Sequence, residues 1–298
     1  MGLREESASG SIPLTVIIPV HDRQQQFEKA LQSVAAQPVR PRRVVVVDDG
    51  SATPVTIPKE PGERLDITLI RQANKGAAAA RNTGLKTAAT DWVAFLDSDD
   101  VWVSGTLEDR WRTVSVDQAR KRDPKVIYGW SWIDRDETGR YLTKRHPCGS
   151  DDPGDFAAGC WFSPGSCIML NGAEAVGRAG YQDETLQRLE DYDWFLALGL
   201  QGFRLSVHPD VCAKIEIRRQ VDPERLENAL RALRCKWSHR LAQARLLNRM
   251  NSYFDLEAAS ANYYKGHRAK AAFLIARSLW TYPRLSLSTT PGWVIERD

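Results

Sequence analysis

The chain has 298 residues, 42% hydrophobic and 27% charged, which is the balance of an ordinary globular protein able to bury a sizeable core. Its formal net charge of +3 is too mild to point to a nucleic-acid binder. Five cysteines lie between Cys148 and Cys235 without a CxxC pair, so neither a disulfide framework nor a zinc site is signalled.

Residues 1–12 read as a disordered tail. Met1 to Ser11 is polar and charged, without the apolar centre of a secretory signal. No apolar run approaches the ~18 residues that span a bilayer. The expectation is a cytoplasmic protein with free thiols. Its ten tryptophans are expected mainly in the core, because each ring buries so much apolar area.

Leu14 to Ile18 is a continuous apolar run ended by Pro19, the pattern of a strand buried on both faces. Phe27, Ala30, Leu31 and Val34 recur at helical spacing, and Pro38 and Pro41 stop that helix. Val44 to Val47 is a second buried strand and completes a βαβ unit. Residues 52–64 are Pro-rich and loop-like. Ile67 to Ile70 is a third strand, Gly76 to Thr87 a helix broken near Gly84, and Trp92 to Leu96 a fourth strand. Ser104 caps a helix that turns Leu107, Trp111 and Val114 inward. Val126 to Trp130 is a further strand. Residues 134–165 look like loops over a cleft. Glu190 to Leu200 is a helix with Gly202 beyond its end, and from Pro223 to about Pro283 the pattern is helical and basic.

Alternating strands and helices imply a parallel sheet with its ligand outside the carboxyl ends of the strands. Two acidic clusters fall on that edge. Asp48-Asp49-Gly50-Ser51 follows the second strand and Asp97-Ser98-Asp99-Asp100 the fourth. Each by itself reads equally well as a turn or a helix cap. Together they gather like charges that repel unless a cation or proton neutralises them. A hard divalent ion, Mg²⁺ or Mn²⁺, completed by substrate phosphates is the simplest answer. Asn74-Lys75-Gly76 with Arg81-Asn82 brings cations towards phosphate at a helix N-terminus. The third cluster, Glu190-Asp191-Tyr192-Asp193, opens a helix, where acids complement the dipole; its functional reading is a general base.

There is no GxxxxGK[ST] loop, and no GxGxxG follows the first strand. A sugar-phosphate nucleotidyltransferase would need a Gly-rich basic loop where Val20-His21-Asp22-Arg23 stands. A non-catalytic nucleotide-sugar-binding module is the other alternative, but the acids it could dispense with are all present.

In order and spacing, several stretches resemble the signature of glycosyltransferase family 2. They are Thr15 to Val20, Val47-Asp48-Asp49-Gly50-Ser51, Asn74-Lys75-Gly76 with Arg81-Asn82, and Phe95 to Asp100. Pro164-Gly165-Ser166, Gly180-Tyr181 and Leu189 to Trp194 resemble its acceptor region and Glu-Asp motif. The resemblance covers about residues 13–215. It implies an α/β GT-A fold, with a Rossmann-like, mostly parallel sheet flanked by helices, and an inverting transfer from a nucleotide-sugar, UDP-linked, to the hydroxyl of a saccharide or lipid-linked acceptor. Carried over by position, Pro19, Val20 and Asp22 line the nucleoside, and Asp49, with Asp48 beside it, reads the base. Lys75 joins the donor contacts and Arg81 approaches the ribose or phosphates. Asp97 sits near the ribose, Ser98 is a spacer in the same donor-binding turn, and Asp99 binds Mn²⁺ or Mg²⁺. Asp191 is the catalytic base, with Glu190 and Asp193 as neighbours.

His21-Asp22-Arg23 departs from the aromatic residue and Asn common in the family. His208, Arg218 and Arg219 are candidates for its later metal or diphosphate contact, although a strand-end histidine and a solvated arginine pair are the plainer readings. The division implied is 13–220 for the catalytic domain and 221–298 for a helical extension. That extension packs on the domain, pairs subunits, or rests on an anionic membrane surface.

Overall fold

The computed structural model describes residues 11–121, 123–159, 165–217, 223–283 and 293–296, the last in backbone outline. The chain begins β1 (Ser11–Val20), α1 (Gln24–Ala35), β2 (Arg40–Asp49), α2 (Lys59–Arg64), β3 (Ile67–Gln72), α3 (Ala77–Thr87) and β4 (Trp92–Phe95). β1 pairs in parallel with both β2 and β4, and β2 with β3. The runs Leu14–Ile18 and Val44–Val47 are fully buried, because α1 and α3 leave no face of this half-sheet to water.

The second half is mixed. It comprises β5 (Val101–Trp102), α4 (Thr106–Lys121), β6 (Val126–Arg135), β7 (Tyr141–Pro147), α5 (Pro153–Ala157), a 3₁₀ turn Gly165–Cys167, β8 (Ile168–Asn171), α6 (Gly172–Ala179), α7 (Glu190–Leu200) and β9 (Arg204–Glu216). β8 joins the halves, antiparallel to β4 on one side and β6 on the other. The chain then runs through α8 (Pro223–Gln243), α9 (Leu247–Tyr264) and α10 (Arg268–Thr281) to β10 (Trp293–Glu296), which pairs with β7.

Several expectations are corrected. The strand already begins at Ser11, so Ser11 and Ile12 are not tail; residues 1–10 lie outside the described residues. Segment 134–165 holds the end of β6, strand β7 and helix α5, whose cap Asp152 accepts from the Gly154 N–H. Segment 52–64 likewise ends in α2. The boundary near residue 220 is not a packing boundary. Leu226, Leu230, Leu233 and Trp237 of α8 and Met250, Tyr253 and Phe254 of α9 share one core with Trp194, Phe195 and Leu198 of α7. Among the described residues no helix is long and apolar enough to cross a membrane.

Helix α3 runs unbroken through Gly84. The glycine is there for closeness rather than for a break: a Cβ would lie 2.3 Å from Ile17 Cγ2 of β1. Alanine would bring about 1 kcal/mol of helix propensity. It would also overpack a site whose neighbour is fully buried, at roughly 1–3 kcal/mol. Gly84→Ala is therefore expected to lower stability despite the propensity gain, as read by urea unfolding; an unchanged or raised midpoint would refute the close-packing role.

Candidate active site

The parallel register brings the ends of β1, β2 and β4 side by side, with Val20 level with Asp48 and Ile17 level with Phe95. The loops that leave these ends enclose a cavity of about 360 Å³. Pro19, Val20, His21 and Arg23 form one wall; Asn74, Gly76 and Arg81 another; Asp97, Ser98 and Asp99 a third, with Asp49 between. Of the residues expected at the donor, Pro19, Val20, Asp49, Arg81, Asp97, Ser98 and Asp99 meet here. Asp22, Asp48 and Lys75 do not line the cavity.

Those three, and Asp49 in part, build the loops instead. Asp48 accepts from the Ser51 N–H (2.9 Å) and the Val55 N–H (3.2 Å) and pairs with Arg71 (3.1 Å). Burial pushes its proton affinity up, but these bonds and the arginine win and hold it below the usual carboxylate range. Asp22, at φ 52°, accepts from Ala52 N–H while its own N–H donates to Ser51 Oγ. Asp49 accepts from the backbone N–H groups of Lys75 (3.0 Å) and Gly76 (2.8 Å), so it fixes the turn into α3. Gly50 is required in this nest: its φ is +72°, and a Cβ would stand 2.6 Å from the Asn74 nitrogen.

The Asp97–Asp100 turn is held from behind. Ser166 Oγ donates to Asp100 and accepts from the Asp97 N–H, and Asp100 also accepts from Glu216 N–H. Burial, with Asp97 and Asp99 nearby, pushes Asp100 well above the ordinary carboxyl range. In front, the acids are met by cations: Arg23 pairs with Asp99, and Arg81 with Asp97 at 2.8 Å. The repulsion expected between the acids is thus balanced by two arginines of the chain itself. Arg23 was legible only as a departure from the family pattern.

Arg81 also reaches Glu190 at 3.3 Å, which ties the cavity to the start of α7. Burial would discharge its guanidinium, but Asp97, Glu190 and Asp191 outweigh burial and hold it charged. Leu189 precedes the helix at φ 60°, a rare conformation for a leucine, and α7 then opens with Glu190 against Arg81. Asp191, next to Glu190 in the first turn of α7, is exposed, with much of the protein packed around it. Burial among those atoms, then the charge of Glu190, push its carboxyl up to about 6. Glu257 of α9 contributes in the same direction, a participant with no local sequence signal. Asp193 faces away and is buried, accepting from Lys236 Nζ (2.7 Å) and Trp237 Nε1 (2.7 Å) of α8.

His208 lies on β9, stacked on Trp130 at 5.6 Å, away from the cavity lining. Arg218 and Arg219 lie outside the described residues. Among the described residues no group of three or more Asp, Glu, His or Cys could hold a metal by itself. The donor set fits a hard ion of the Mg²⁺ or Mn²⁺ type, which takes one or two carboxylates and completes its shell with phosphates and water. Asp99 on the cavity wall supplies one such carboxylate, with Asp97 beside it.

The fold is that of the GT-A glycosyltransferases. The family model described as Glycosyl transferase family 2 matches residues 15–163, and the chain belongs to that family. The chain is similar to the succinoglycan biosynthesis protein ExoW of Rhizobium meliloti, 42% identical over 110 residues, 34% of each chain. It is also similar to the pre-mycofactocin glycosyltransferase of Mycobacterium tuberculosis, 42% identical over 225 residues, covering 73% of this chain and 46% of that one. The matches thus span between a third and a half of these relatives' length. S. aureus TarS 1-349 in complex with UDP-GlcNAc superposes with a TM-score of 0.58 at 19% identity, over 91% of this chain and 89% of that one.

The two acids of α7 are separable by experiment. Asp193→Ala leaves Lys236 and Trp237 without their buried partner and is expected to cost roughly 2–4 kcal/mol of stability. Asp191→Ala, at an exposed position, is expected to leave the melting temperature nearly unchanged. Equal losses in thermal melts would contradict the assignment of Asp193 to structure.

Proposed function

We propose that this protein is an inverting, metal-dependent glycosyltransferase. It moves a sugar from a UDP-linked donor to the hydroxyl of a saccharide or lipid-linked acceptor, in the assembly of a cell-surface polysaccharide or glycolipid. The observation that carries the reading is the bridge from the cavity to α7: Arg81 joins Asp97 on the cavity wall to Glu190, next to the solvent-open Asp191. Donor and acceptor sides of one reaction are thereby held at fixed separation. The UDP-GlcNAc complex of the TarS neighbour and the succinoglycan role in the name of ExoW support the choice of donor and pathway class.

In this reading the nucleoside lies against Pro19 and Val20, beside the Asp49 nest. Asp22, Asp48 and Lys75 act by shaping that nest. Asp99 is the metal ligand, with Asp97 near the ribose and Ser98 spacing the two. A bound divalent ion would supply positive charge where the diphosphate leaves. Asp191 takes the proton of the acceptor hydroxyl as its oxygen bonds to the anomeric carbon. The bond from that carbon to the diphosphate oxygen breaks on the opposite face, so the configuration inverts. Glu190 keeps Asp191 basic and steadies Arg81. The charge of Arg81, together with Arg23 once released from Asp99, meets the negative charge that develops on the leaving group.

Asp99→Ala is expected to abolish metal-dependent UDP binding in a thermal-shift assay with Mn²⁺. Asp191→Asn is expected to keep donor binding and lose transfer by roughly 10²–10⁴-fold; full turnover by that variant would sink the base assignment. The base must be deprotonated, so kcat/KM is expected to fall about tenfold per unit below pH 6 and to level off above it. Glu190→Gln removes a negative neighbour, lowers the Asp191 pKa, and should move this limb to lower pH. A limb that stays in place or moves up would count against the coupling.

A further inference from the structure

Helix α10 is apolar on both sides. Its inner face, Ala271, Leu274 and Ser278, is buried, and Ser278 Oγ bonds to Ser252 Oγ of α9 at 2.8 Å. Its outer face carries Ala272, Phe273, Ala276, Leu279 and Trp280, all exposed. Phe273 is 62% exposed and Trp280 91%. A helix packed on one face normally turns charged or polar residues outward. Here the charged residues stand along the flanks and at the turn before the helix, as Lys265, Arg268, Lys270 and Arg277, the last paired with Asp255 of α9, with the exposed Tyr263 and Tyr264 just ahead. No acid occurs in the sequence between Glu257 and Glu296.

We infer that the outer face of α10 docks on an anionic lipid surface. The residue types are those that suit the water–lipid boundary: Trp, Tyr and Phe with apolar bodies, flanked by Lys and Arg that meet anionic head groups. Charge also disfavours a second copy of the chain. A twofold contact through this face would join two surfaces that both carry Arg268 and Lys270, with no acid on the helix to form an ion pair across it. A groove of about 360 Å³ between α8, α9 and α10 borders the face at Phe273 and Lys270; Glu227 and Asp255 also line it, Asp255 paired with Arg277. The helix beneath, α9, carries Glu257, which acts electrostatically on Asp191. The docked face therefore lies one helix from the acceptor side of the cleft, where a lipid-linked hydroxyl would be presented.

Vesicle flotation of the full chain tests the inference, without donor or acceptor, so that a failure leaves the transferase reading untouched. The chain is expected to float with phosphatidylcholine vesicles containing about one-third phosphatidylglycerol, and to remain below with phosphatidylcholine alone. Phe273→Ser/Trp280→Ser should lower partition by roughly tenfold or more, with only a small change in the thermal melt, because Trp280 is almost wholly and Phe273 largely in water. Arg268→Gln/Lys270→Gln should erase the preference for anionic vesicles, as should high salt. Failure of the wild type to float with anionic vesicles would overturn the inference, as would flotation of the Phe273/Trp280 variant equal to wild type. A dimer in light scattering that the same serine pair dissolves, without vesicle binding, would assign the face to a second copy instead.

Discussion

One guanidinium sets the geometry of the site. Arg81 is only 13% exposed, stands on the second turn of α3, and bridges Asp97 after β4 to Glu190 at the start of α7. Five acids lie in this neighbourhood: Asp97, Asp99, Asp100, Glu190 and Asp191. Like charges at such spacing either take up protons or separate. Arg81 and Arg23 supply counter-charge to this group through Asp97, Asp99 and Glu190, while burial, with Asp97 and Asp99 nearby, drives the carboxyl of Asp100 well above its ordinary range. That bridge ties the start of α7 to the parallel half-sheet, alongside the core in which Trp194, Phe195 and Leu198 pack.

The acids divide by what they touch. Asp48, Asp49, Asp100 and Asp193 spend their oxygens on backbone N–H groups, on Ser166, or on Lys236 and Trp237, and so hold loops and helices in place. Asp97, Asp99 and Glu190 are met by the side chains of Arg81 and Arg23, and those partners can exchange for a ligand. A rigid frame of satisfied acids thus presents a smaller set of exchangeable ones. The helices after residue 223 are part of that frame. Through Asp193 and the shared core they fix the far side of α7, and through Glu257 they raise the proton affinity of Asp191.

Much of this was legible in the sequence. Buried parallel strands declare themselves as unbroken β-branched runs, so β1, β2 and β4 and the turns after them could be placed, and α7 could be bounded at Glu190 and Leu200 by its periodicity. What local pattern could not give was anything decided across the fold. Gly84 looks like a helix breaker until Ile17 is seen against it. β7 has no hydrophobic alternation because it lies partly exposed beside β6 and β10. Asp48 and Asp49 look alike in a motif, yet only Asp49 borders the cavity. Arg23 and Glu257 matter through partners 76 and more than 60 residues away, separations that leave no spacing to read.

The central claim is that one arginine makes a single donor site out of separate acidic turns. Calorimetric titration of UDP with Mn²⁺ into the wild type and into Arg81→Met tests it most directly. The account predicts a single UDP site in the wild type, and binding weakened by on the order of tenfold or more in a variant that still folds. UDP binding of equal strength in both proteins, or none in the wild type, would contradict it.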